Sequence, residues 1–134
     1  MSEEKTEKDP TNELMAALEA YPNAPVAETV ESWKQQYGEV MCSGFSNTEL
    51  VIWRALTRKE YVALQKVLRT PTQDPANAPT EYDFEESVVK TCILWSSMPN
   101  LDTKGGTIST LSEQIMLHSN FMNQQLAAAL VLRL

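Results

Sequence analysis

A chain of 134 residues, 43% apolar and 22% charged, has the makeup of one globular domain long enough to bury a core. Its formal net charge of −7 sets it against phosphate backbones and anionic lipid, so nucleic acid and membrane are excluded as general partners. A single histidine, His118, and two well-separated cysteines, Cys42 and Cys92, supply no metal-ligand spacing, and no cofactor is expected.

Residues 1–9 are almost all polar or charged and read as a flexible, disordered leader without the apolar stretch of a signal peptide. No apolar run approaches the roughly 20 residues that span a bilayer, so a cytosolic address is expected. Residues 10–134 are read as a single compact domain. Asp9-Pro10 has the form of an N-cap followed by a first-turn proline, opening a short helix with Leu14, Met15 and Leu18 that ends before Pro22. A second helix starts at Pro25. Val26, Val30, Trp33 and Tyr37 line one of its faces, and Gly38 stops it.

Residues 39–45 and 49–55 mix β-branched, sulfur-containing and aromatic side chains around the turn material Ser46-Asn47-Thr48, which predicts a β-hairpin. The competing reading is a helix from Asn47 or Thr48 through Trp53. Thr57-Arg58-Lys59-Glu60 has the form of a capping box, in which hydroxyl and carboxylate each accept from the other residue's amide. The helix it opens carries Tyr61, Leu64, Val67 and Leu68. Residues 70–80 hold three prolines and no large apolar side chain, so they form an inter-helix linker; the prolines fall four apart, which does not suit a PxxP ligand.

From Glu81 the apolar positions Phe84, Val88, Val89, Cys92, Ile93 and Trp95 predict a helix of about four turns, ended by Met98-Pro99. Glu81, Asp83, Glu85 and Glu86 sit where the helix dipole favours negative charge, which explains them without acid–base chemistry. Gly105-Gly106 lacks the rest of a nucleotide-binding motif. Thr110-Leu111-Ser112-Glu113 reads as a second capping box, starting a helix through Ile115 and Met116 toward Phe121 and Met122. Residues 123–134 then predict a C-terminal amphipathic helix, with Leu126, Leu130 and Leu134 at i, i+4, i+8 and Val131 and Leu132 widening the stripe. The expected class is mainly α with a small β-hairpin, an α+β fold.

No catalytic constellation emerges. His118 and Ser119 are adjacent, and adjacent helical residues point about 100° apart, which prevents a nucleophile–base pair. Both cysteines lie among apolar neighbours, where a thiol acts as a small hydrophobe. Trp33, Trp53 and Trp95 fall on three elements and are expected to meet in one core. What remains is a set of apolar side chains suited to an adaptable groove for a partner helix: Met116, Met122, Leu126, Leu130 and Leu134.

Three blocks, Ile52-Trp53-Arg54-Ala55-Leu56-Thr57-Arg58-Lys59-Glu60-Tyr61, then Phe84-Glu85-Glu86-Ser87-Val88-Val89-Lys90-Thr91-Cys92-Ile93-Leu94-Trp95, then Gly106-Thr107-Ile108-Ser109-Thr110-Leu111-Ser112-Glu113-Gln114-Ile115 continuing to Ser119-Asn120-Phe121, carry a resemblance in their order and spacing. Over about residues 33–122 the chain resembles the small tail assembly chaperones of tailed bacteriophages. The Pro-bearing linker at 70–80 is unusually long for that family. The resemblance implies a non-enzymatic, largely helical protein of the host cytoplasm that binds a helical tape measure protein, supports tail assembly and leaves the finished particle. The alternative is a structural tail or baseplate hub component retained in the virion. Association with further copies of itself fits either reading.

Overall fold

The computed structural model describes residues 10–69, 76, 78–121 and 124–134, so the leader at 1–9, most of the 70–80 linker and Met122 lie outside it. Among the described residues the elements follow in chain order: α1 (Pro10–Ala20), α2 (Ala27–Tyr37), β1 (Val40–Ser46), β2 (Glu49–Arg54), α3 (Arg58–Arg69), α4 (Glu81–Cys92), β3 (Ile93–Ser96), α5 (Thr107–His118) and α6 (Gln124–Ala129). This is the mainly α, α+β class expected from sequence. The chain divides into two units, Met1–Arg54 with Ile93–Leu101, and Ala55–Cys92 with Asp102–Leu134.

The first unit is built on an antiparallel sheet in the order β1-β2-β3. The hairpin reading holds: β1 pairs with β2 from Val40↔Arg54 to Ser46↔Glu49, with a register shift between Gly44 and Ser46 that leaves Phe45 as the extra residue. Leu50, Val51, Ile52, Trp53 and Arg54 are all buried, as befits a strand paired on both edges. Alternation puts Cys42, Ile52 and Trp95 on one face, and Met41 and Trp53 on the other. On the first face Leu14 of α1 reaches Gly44, where an added Cβ would stand 2.5 Å from Leu14 Cδ1. Tyr21, after α1, meets Trp95 edge-on at 5.7 Å and donates its hydroxyl to the Ser97 carbonyl. Tyr37 of α2 lies 4.7 Å from the buried Arg54 guanidinium in a cation–π contact. On the second face Trp53 Nε1 donates to Ser43 Oγ at 2.7 Å, satisfying both polar atoms out of water.

Strand β3 corrects the four-turn helix predicted from Glu81. The helix stops at Cys92, and Ile93–Ser96 turns into a strand against β2, with Ile52↔Trp95 and Val51↔Ser96 in register. Ser97 prolongs the pairing: its N–H donates to the Leu50 carbonyl at 2.9 Å, while its hydroxyl accepts from the Leu50 N–H and donates to the Thr48 carbonyl, both at 2.8 Å. The three tryptophans belong to the same unit but are not all part of its buried core. Only Trp53 is buried outright; Trp33 and Trp95 are half-buried.

The second unit packs α3 and α5 against α4. The Thr57–Glu60 capping box forms as read, with Thr57 N–H to Glu60 Oε1 at 3.0 Å and Glu60 N–H to Thr57 Oγ1 at 3.2 Å. Thr80 and Asp83 make a second, unforeseen box at the start of α4. The expected box at Thr110–Glu113 is not a helix start, because α5 begins at Thr107 behind Gly106. Starting there gives α5 a buried stripe of Thr107, Leu111 and Ile115, one turn longer than Leu111 and Ile115 alone. Ser109 Oγ donates to Glu85 Oε1 at 2.7 Å and ties α5 to α4. Val88, Val89 and Cys92 supply the buried face of α4.

Helix α5 ends in a Schellman motif. Asn120 adopts φ 70°, the Asn120 N–H donates to the Leu117 carbonyl, and the Phe121 N–H donates to the Met116 carbonyl at 2.8 Å. This turn delivers the Phe121 ring to Tyr61 of α3 at 4.4 Å, and Tyr61 in turn meets Phe84 of α4 edge-on at 6.2 Å. Asn120→Gly should be neutral or slightly stabilising, whereas Asn120→Val should cost about 1–2 kcal/mol because a β-branched residue resists positive φ. Urea titration of both variants measures the difference.

Candidate functional site

The polar residues that could suggest chemistry are taken up by structure. Ser119 Oγ donates to the Ile115 carbonyl at 2.6 Å and accepts the Leu56 N–H at 2.8 Å. The hydroxyl therefore closes α5 and satisfies the amide of a buried residue ahead of α3. His118 bonds through Nδ1 to the Gln114 carbonyl on its own helix. Of the acidic group on α4, Asp83 serves the Thr80 cap and Glu85 holds Ser109. No group of three or more His, Cys, Asp or Glu side chains able to hold a metal occurs among the described residues.

Neither cysteine is in a disulfide; Cys92 is buried in α4 and Cys42 half-buried in β1. Burial pushes the Cys42 thiol above its ordinary range, against a smaller opposing effect of a backbone hydrogen bond with Val51. A raised pKa in the folded state favours the protonated thiol. The associated stability is present at neutral pH and is lost as pH rises through the ordinary thiol range and beyond.

The candidate binding residues do not share one helical face. Met116 is half-buried on α5, and its carbonyl closes the Schellman turn. Met122 lies outside the described residues. Leu126 falls on α6, and nothing is described of its side chain. The helix expected over 123–134 covers only Gln124–Ala129, so Leu130 and Leu134 lie beyond it. A six-residue helix is far below the length that is stable by propensity, and Leu130 and the residues after it are exposed, so no packing extends it.

The result is a different kind of surface. Leu130, Val131, Leu132 and Leu134 stand 64% exposed or more, with Arg133 among them, in a segment without regular structure after Leu130. Apolar side chains scattered singly need no explanation, but four within five residues form a contiguous patch. Further exposed apolar side chains in this unit are Leu117 on α5, Val62 and Val67 on α3, and Tyr82 on α4. Val67 was expected on the inner face of α3. There Tyr61, Leu64 and Leu68 are half-buried, while Val67 lies about 100° round the helix from Leu68, toward the solvent side.

Ser119→Ala leaves the buried Leu56 amide without its acceptor and should cost about 1–3 kcal/mol. The exposed His118→Ala should stay within about 0.5 kcal/mol, and urea titration compares the two. Cys42 should resist alkylation at neutral pH in the native protein and react promptly in denaturant, as mass spectrometry of the labelled protein would record. Comparison of the chain with protein-family models, with characterised proteins and with solved structures finds no match in any of the three.

Proposed function

We propose that this chain is a non-enzymatic protein-binding factor of the tail-assembly-chaperone kind its sequence resembles, acting in the host cytoplasm. It binds a long, helical, tape-measure-type protein, keeps that protein soluble, and releases it as tail assembly proceeds. The observation that carries the reading is the exposed run Leu130-Val131-Leu132-Arg133-Leu134. Keeping such side chains in water forgoes roughly 1.5–3 kcal/mol each, so a partner that covers them gains what folding has left unused. Helix-in-groove recognition uses this type of side chain, and α6 immediately before the run offers a start from which a helix can grow on contact.

The sheet and the helical unit serve as the platform. Ser43, Ser97, Glu85 and Ser119 engage their side chains in hydrogen bonds within these units. No helix among the described residues is long and apolar enough to cross a membrane.

The test is co-expression with a long, helical tape measure protein of a tailed bacteriophage. The full chain should raise the partner's soluble yield and co-purify with it. Removing residues 130–134, or replacing Leu130 and Leu132 by Asp, should abolish both effects while the circular dichroism of the isolated protein stays unchanged. Equal partner solubility with and without the segment would sink the reading. Mass spectrometry of finished particles separates the alternative: a retained structural tail or baseplate component is found there in fixed ratio, a chaperone is not.

A further inference from the structure

Helix α3 presents a second surface, chemically unlike the apolar run. Its described side chains divide into two arcs. Glu60, Tyr61, Leu64, Gln65 and Leu68 are half-buried, whereas Arg58, Lys59, Val62, Ala63, Lys66, Val67 and Arg69 are exposed. On the exposed arc Val62, 40% exposed, has Arg58 and Lys59 at i−4 and i−3 and Lys66 and Arg69 at i+4 and i+7. All four spacings return to the same side of a helix, so an apolar centre sits inside a frame of cations. Val67, 63% exposed, and Ala63 extend the apolar part along one edge.

Two features set this arc apart from an ordinary solvated face. Helix α3 carries four cations and one acid, while the rest of the chain carries seven cations and seventeen acids. The positive charge is thus concentrated on one helix of an acidic protein. In addition, Arg58 and Lys59 occupy the first turn, where the helix dipole disfavours cations; only Lys66 and Arg69, in the last turn, have a dipole explanation. Helix stability alone would place the charges of the first turn the other way.

We infer that the exposed arc of α3 is a docking face for an acidic amphipathic helix of a partner protein, with an apolar residue of that helix seated on Val62 and carboxylates one turn to either side meeting the cations. The charge complementarity is specific to this occupant. A nucleic acid would gain nothing from Val62 at the centre. A membrane would require a broader apolar face than Val62, Ala63 and Val67 provide. The inference does not depend on the proposed role of the run at residues 130–134.

The experiment is fluorescence anisotropy of the full chain with a dye-labelled helical peptide carrying one Leu flanked by Glu at i−4, i−3 and i+4. The control is a scrambled peptide of the same composition. The expected result is binding that weakens with salt and prefers the designed peptide over the scrambled one. The Lys59→Glu/Arg69→Glu variant should lose about tenfold or more in affinity, and Val62→Ser should lose several-fold; both positions are exposed, and circular dichroism checks that the fold is kept. Deletion of residues 130–134 should leave peptide binding unchanged, which separates this face from the apolar run. The inference is overturned if the scrambled peptide binds equally well or if Val62→Ser binds like the parent. It is likewise overturned if duplex DNA or anionic vesicles displace the peptide at lower concentration than unlabelled peptide does, or if sedimentation shows self-association abolished by Lys59→Glu/Arg69→Glu.

Discussion

The fold depends on pairing both edges of β2. Leu50 to Arg54 are five consecutive buried residues, and each brings an N–H and a C=O out of water with it. A buried backbone group left unpaired costs about 1–3 kcal/mol, so a two-stranded hairpin with this strand buried would be heavily penalised along its open edge. Strand β3 and Ser97 remove that penalty. Ser97 does so with its side chain as well as its backbone, since one hydroxyl accepts the Leu50 N–H and donates to the Thr48 carbonyl. Tyr21 then bonds the Ser97 carbonyl and packs on Trp95, so the link after α1 is fixed by the same few residues that finish the sheet.

This explains why β3 is hidden in the sequence. Val88, Val89, Cys92 and Ile93 fit a helical period, and nothing local distinguishes Cys92 from Ile93. The need that converts Ile93–Ser96 into a strand arises some forty residues away, in the open edge of β2. The hairpin itself was legible because its signals are local: a β-branched run, a turn and a second run. Capping shows the same division. Thr57 and Glu60 form the reciprocal bonds their spacing implies. Thr110 and Glu113 have the same spacing, yet α5 starts four residues earlier than that box would set it, where Thr107 joins Leu111 and Ile115 on the buried face. Tertiary burial overrides a motif worth about 1 kcal/mol.

The candidate surface was legible in composition and illegible in geometry. Leucines at i, i+4 and i+8 describe one stripe only if the helix continues through them, and α6 stops at Ala129. Propensity favours continuation, but a short helix needs a packed face to persist, and Leu130, Val131, Leu132 and Leu134 are exposed. Burial also reassigns Val67, since the inner arc of α3 is filled by Tyr61, Leu64 and Leu68. Tyr61 is held there by Phe84 and by Phe121, which the Asn120 turn positions. That turn depends on a positive φ at a non-glycine residue, which no hydrophobic period announces.

Magnitudes decide what kind of binding the exposed run can support. Covering Leu130, Val131, Leu132 and Leu134 would gain roughly 6–12 kcal/mol at 1.5–3 kcal/mol per side chain. Ordering the five residues 130–134 would cost roughly 5–10 kcal/mol in backbone freedom alone, before any loss of rigid-body freedom. The two nearly cancel. A segment with this balance cannot hold a partner tightly by itself; it would hold one only where the partner templates helix growth from α6, so that new backbone hydrogen bonds and cooperative propagation offset the ordering cost. Such binding is reversible by construction. It is the energetics that the proposed chaperone role calls for, since such a factor would keep an apolar helix covered and then surrender it to a better-packed assembly.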